Sequence, residues 1–136
     1  MTANDAMLKV AKCMADKYGY LAVEQDKEID ASKDKFWGNQ AIGLDASKKN
    51  EKVIVKACRY EMPVPESDRE KDKHVPHIRI DMFWGHPRLS MYLPDGSFAC
   101  IVYKDNEMSE AQAFKPNGMM LAGVFKFLID EEIKNG

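Results

Sequence analysis

"HIRIDMFWGHPRLSMYLPDGSFACIVYK", His77 to Lys104, carries the architecture of this chain. From His77 to Trp84 the residues alternate as a strand does when one face is buried and the other is not. Gly85-His86-Pro87 turns the chain, Arg88 to Leu93 alternates again, and Pro94-Asp95-Gly96-Ser97 is a strong hairpin signal ahead of Phe98 to Lys104. The segment predicts a three-strand antiparallel meander.

Upstream, "DKFWGNQAIGLD" (Asp34 to Asp45) echoes "DMFWGHPRLSMY" (Asp81 to Tyr92), and the two copies hold both tryptophans. Nothing between the aligned ends of the two halves matches well, so the repeat reads as one structural device used twice rather than a ligand motif. In that reading Trp plugs the core at a strand end and Gly lets the chain turn after it. The first copy predicts a short strand over Ala41 to Leu44, a polar turn from Asp45 to Glu51 and a longer strand from Lys52 to Met62.

Before it, Thr2 with Asp5 resembles a capping box, and Met7, Val10, Ala11, Met14 and Tyr18 recur at helical spacing, so Thr2 to Tyr18 is a helix stopped by Gly19. Tyr20 to Glu24 reads as a strand and Gln25 to Lys35 as a polar loop. Met62 to Pro76, bracketed by prolines and charged throughout, reads as an exposed loop of the kind that often binds partners. Asn117 to Asn135 reads as a final helix whose apolar residues, Met119 to Ile129, surround almost its whole circumference. Such a helix needs cover on more than one side, either from sheet and first helix together or from a second subunit. The expectation is a single α+β domain over residues 1–136, with an N-terminal helix, a largely antiparallel sheet of about six strands in two meanders, and a buried C-terminal helix on the sheet.

At 136 residues with 45% hydrophobic composition the chain can bury one core. Cys13, Cys58 and Cys100 are odd in number and widely spaced, which predicts reduced thiols rather than a disulfide framework or a zinc knuckle. The start of the chain lacks a secretory pattern, and no stretch nears the roughly 18 apolar residues of a membrane span. A cytoplasmic protein is expected. The net charge of -2 argues against a generally basic nucleic-acid binder but leaves local patches open.

No metal site or cofactor is expected. His74 and His77 lie three apart on extended chain and point to opposite faces, and His86 precedes Pro87 in a turn. No catalytic residues are assigned either: His77 and Asp81 share a strand face but lie roughly 13 Å apart along it, and serine-nucleophile and phosphate-loop motifs are lacking. Cys58 and Cys100 sit in apolar strands and read as core residues.

Sorting the strands by parity puts Val53, Val55, Ala57, Ile78, Ile80, Met82, Trp84, Leu89, Met91 and Leu93 on a core face. The opposite face gathers Lys52, Lys56, Tyr60, His77, Arg79, Phe83, Arg88 and Tyr92, with Asp81 the lone acid. Basic and aromatic together, this face is the candidate binding surface, and the bland alternative is a solvated sheet face covered by long Lys and Arg stems. The favoured function is a non-enzymatic protein that binds a protein partner through an exposed surface, as an inhibitor, immunity or chaperone-like protein does. A nucleic-acid module using the same face is the second reading, with cations on phosphates and rings on bases. The third is a small enzyme or apolar-ligand carrier with a pocket between sheet and C-terminal helix, lined by Met119, Met120 and Phe127. A homodimer through that helix accompanies the first reading.

Overall fold

The computed structural model describes residues 1–30, 54–63 and 75–136. Helix α1 spans Ala3–Tyr18. Thr2 caps it by accepting from the Asp5 amide at 3.1 Å, and Gly19, in the left-handed conformation at φ 74°, ends it. Among the described residues six strands follow, β1 (Leu21–Asp30), β2 (Ile54–Glu61), β3 (His77–Phe83), β4 (His86–Tyr92), β5 (Phe98–Lys104) and β6 (Glu107–Phe114), before a helix labelled α2 (Lys115–Asn135). Every neighbouring pair is antiparallel and the described strands lie in the spatial order β1-β2-β3-β4-β5-β6, in one sheet.

Both helices pack on one face of this sheet, α1 against β2 to β4 and α2 against β5 and β6, and they touch each other. The core between the layers holds Met7, Val10, Met14, Val55, Ile78, Ile80, Leu89, Met91, Ile101, Tyr103, Leu121, Phe125 and Ile129. Spacings of three and four put Gly118, Leu121, Phe125 and Ile129 on one stripe of α2, and that stripe faces the sheet. Gly118 is required there, since a Cβ would lie 2.3 Å from the Phe98 carbonyl oxygen.

Four sequence expectations are corrected. The polar run after Glu24 is strand as far as Asp30, because β1 is an edge strand with register shifts that leave most of its side chains in solvent. β6 has no counterpart in the sequence reading. Trp84 is 46% exposed and plugs no core; it forms with Gly85 the two-residue β3–β4 turn, both at positive φ (54° and 81°) as a type I′ hairpin requires. The turn therefore falls one residue earlier than Gly85-His86-Pro87. The expected strand at Ala41 to Leu44, the turn after it, Val53, Trp37 and the first FWG copy lie outside the described residues, as do Lys52 and His74.

At its far end β2 parts from β3. Their pairing runs only from Cys58 to Glu61, and beyond it Asn4 of α1 takes the place of a strand neighbour. Its side chain accepts from the Lys56 amide at 2.8 Å and donates to the Lys56 carbonyl at 3.0 Å. Val55 and Cys58, three residues apart, both reach the core, so the strand's alternation changes phase between them.

Candidate functional site

That change of phase decides which residues share the sheet face opposite the helices. Cross-strand register arranges it in rows. His77, Tyr92, Phe98 and Phe114 form an aromatic row with ring centroids 5.0, 4.5 and 5.9 Å apart. The next row is Arg59, Arg79, Ser90, Cys100 and Gln112, and the third is Asp81, Arg88, Val102 and Glu110. Phe83 and His86 close the set. Of the residues expected here, His77, Arg79, Phe83, Arg88 and Tyr92 are brought together. Tyr60 is not: it pairs with Ile78, is buried in the core between sheet and α1, and its hydroxyl accepts from Gln25 Nε2 at 3.2 Å. Lys56 is exposed at the end of β2 where Asn4 holds its backbone. Arg59 and Glu61 stand on the face in their place, and only knowledge of the phase change would have found them.

The cations of this face are mostly matched by carboxylates. Arg88 donates from Nε and from its terminal NH2 group to both oxygens of buried Asp81 at 2.8 and 2.7 Å and lies over the Phe83 ring, 5.4 Å from its centroid. That charge-assisted fork raises the guanidinium pKa above its ordinary value against the opposing effect of burial. Arg59 and Arg79 stand directly opposite each other, an unfavourable like-charge pair. Each is answered two residues along its own strand, Arg59 by Glu61 at 2.8 Å and Arg79 by Asp81 at a looser 3.7 Å.

His77 is buried and neutral. Burial pushes it down to about 4; the Val75 carbonyl, accepting from Nδ1 at 2.7 Å, opposes the shift, and the guanidiniums of Arg59 and Arg79 add to it. Its Nε2 has no hydrogen-bond partner among the described residues. The face thus carries less uncompensated positive charge than a count of its cations implies.

Helix α2 supplies a different surface. Met119, Met120 and Phe127 are 68%, 69% and 64% exposed, with Val124 beside them and Phe114 just before the helix. On a helical wheel Met119, Met120, Gly123, Val124 and Phe127 form one stripe nearly opposite the buried one. Met119 and Met120 therefore line no pocket between sheet and helix, and neither does Phe127. The flank of α2 toward β6, carrying Lys126 and Asp130, borders an open groove of about 450 Å³ with Asn106 and Met108. There the Tyr103 hydroxyl donates to Asp130 at 2.6 Å, and Lys126 pairs with Asp130 at 2.7 Å.

The base of the Met62 to Pro76 segment is closed by the Met62 amide donating to the Pro76 carbonyl at 2.9 Å, and its residues 64–74 lie outside the described part. Cys58 and Cys100 are buried free thiols; burial is the main cause of the upward shift of both, Cys58 to about 12. Cys13 is exposed on α1. Among the described residues no helix is long and apolar enough to cross a membrane. The chain matches no family model, no curated protein and no solved structure.

Proposed function

We propose that this is a non-enzymatic protein that acts by binding a protein partner, and that the outer face of α2 is its docking surface. One observation carries the reading: α2 has a second apolar stripe, opposite its core stripe, that the fold leaves open. The stripe exposes on the order of 500 Å² of apolar side chain, near the upper end of what monomer surfaces leave open and a common mark of an interaction site. The protein class of partner follows from the chemistry. Thioether and aryl side chains offer broad apolar contact and little to a phosphate backbone.

The sheet face supports this reading less well, since Arg88 and Arg59 are already in short ion pairs. Arg79, loosely paired and with its side chain 37% exposed, is what favours the nucleic-acid alternative. Capture of a defined partner on immobilised protein tests both. The proposal expects capture to be lost with Met120→Glu and Phe127→Glu together and kept with Arg79→Glu. Labelled oligonucleotides that bind in a salt-dependent way and are released by Arg79→Glu would replace it with the nucleic-acid reading.

A further inference from the structure

Resting on that reading of α2, we infer that the occupant of its outer face is a second copy of this chain, docked antiparallel about a two-fold axis at Gly123. The two end residues of the stripe are placed symmetrically about this residue. Met119 and Phe127 each lie four positions from Gly123, one on either side, with Met120 and Val124 beside the same turns. A two-fold axis there lays the Phe127 ring of one copy between Met119 and Met120 of the other, the sulfur-to-aromatic contact such side chains favour. An isologous interface needs a surface complementary to itself, and Phe127 set against Met119 across the axis meets that need.

Gly123 suits the axis. It is the only residue of the stripe without a side chain, and a Cβ built on it meets nothing within 4 Å, so the helices can approach closely where they cross. The flanking charges raise no objection. Lys126 and Asp130 neutralise each other within one copy at 2.7 Å, antiparallel docking opposes the two helix dipoles, and a chain of net charge -2 repels its copy weakly. The exposed apolar area of the stripe, on the order of 500 Å² per copy, is more than half of the ~800 Å² per partner that a standard interface buries, with the α2 flanks left to supply the rest.

The test is molar mass by light scattering over a nanomolar to high micromolar range, on the full chain and on variants whose helical circular dichroism is unchanged. The expected result is a concentration-dependent dimer, a dissociation constant raised at least about 30-fold by Phe127→Glu, the loss of one hot spot, and no change with Arg79→Glu. As a second measurement, Gly123→Cys on a Cys13→Ser background is oxidised beside Asp16→Cys as control. A disulfide-linked dimer forming selectively at position 123 is expected. A monomer throughout the range, a dimer indifferent to Phe127→Glu, or equal cross-linking at both positions overturns the inference. The capture experiment above then reports separately whether α2 binds a different protein.

Discussion

Asp81→Asn removes the charge that holds the sheet face together while barely changing its volume. Asp81 is 2% exposed and answers two guanidiniums, Arg88 through a two-point fork at 2.8 and 2.7 Å and Arg79 at 3.7 Å. Breaking a buried pair by removing one partner costs about 3–5 kcal/mol, because the other charge is left in a poor environment. Arg88 keeps a quarter of its side chain in water, which places the expected loss near the lower end, about 3 kcal/mol. For 136 residues the unfolding entropy is about 0.29 kcal/mol per degree, so the melting temperature should fall by about 10 °C. Calorimetry or a circular dichroism melt reads this directly, with Arg79→Gln as control at under about 1 kcal/mol. The apolar double replacement Asp81→Leu with Arg88→Met should recover most of the loss, since no charge is then stranded. A variant Asp81→Asn that melts within about 3 °C of the parent would refute the reasoning, as would an equal loss from Arg79→Gln.

The two glycines of α2 should respond to alanine with opposite signs. Gly118→Ala forces a methyl to 2.3 Å from the Phe98 carbonyl and should cost at least about 2 kcal/mol, whereas Gly123→Ala meets open space and should gain about 0.5–1 kcal/mol when unfolded by urea at low protein concentration. His77 titrates near 6.5 when unfolded and near 4 when folded, so the unfolded chain takes up its proton first. Its contribution is therefore complete above about pH 6.5 and falls away as pH drops toward 4, a loss on the order of 2–3 kcal/mol that His77→Gln should not show in parallel unfolding curves. Asn4→Ala strips Lys56 of its surrogate strand partner, and because water can reach the site the cost should be about 1 kcal/mol, visible as faster amide exchange at Lys56.

Strands β3 to β5 were legible in the sequence because one of their faces packs on helices while the other carries polar and aromatic residues, which makes Ile78-Ile80 and Leu89-Met91 alternate. β6 was not, since "EMSEAQAF" is an edge strand exposed along nearly all its length and has no buried face to impose a period. β1 hides for the same reason, with Asp26 at φ 55° inside the register shift between Glu24 and Lys27 as a further disturbance. Parity carried across the phase change between Val55 and Cys58 puts Tyr60 on the wrong face, and the change coincides with the Lys56 backbone bonds to Asn4, 52 residues earlier, which no local pattern records. Trp84 misled because a large aromatic is more often buried, whereas here it occupies a turn position of positive φ. The doubly apolar character of α2 was visible in its composition. Which stripe faces the sheet follows from the spacing of Leu121, Phe125 and Ile129, and Gly118 confirms it by its contact with Phe98.

Oxidative footprinting of the methionines tests most directly whether the outer face of α2 is a docking surface for a second copy. Met119 and Met120 stand on that face, while Met1 and Met108 are also partly exposed but lie off the stripe. Docking predicts that oxidation of Met119 and Met120 slows as protein concentration rises, with Met1 and Met108 unchanged, and that Phe127→Glu abolishes the difference. Equal oxidation of all four at every concentration would contradict it.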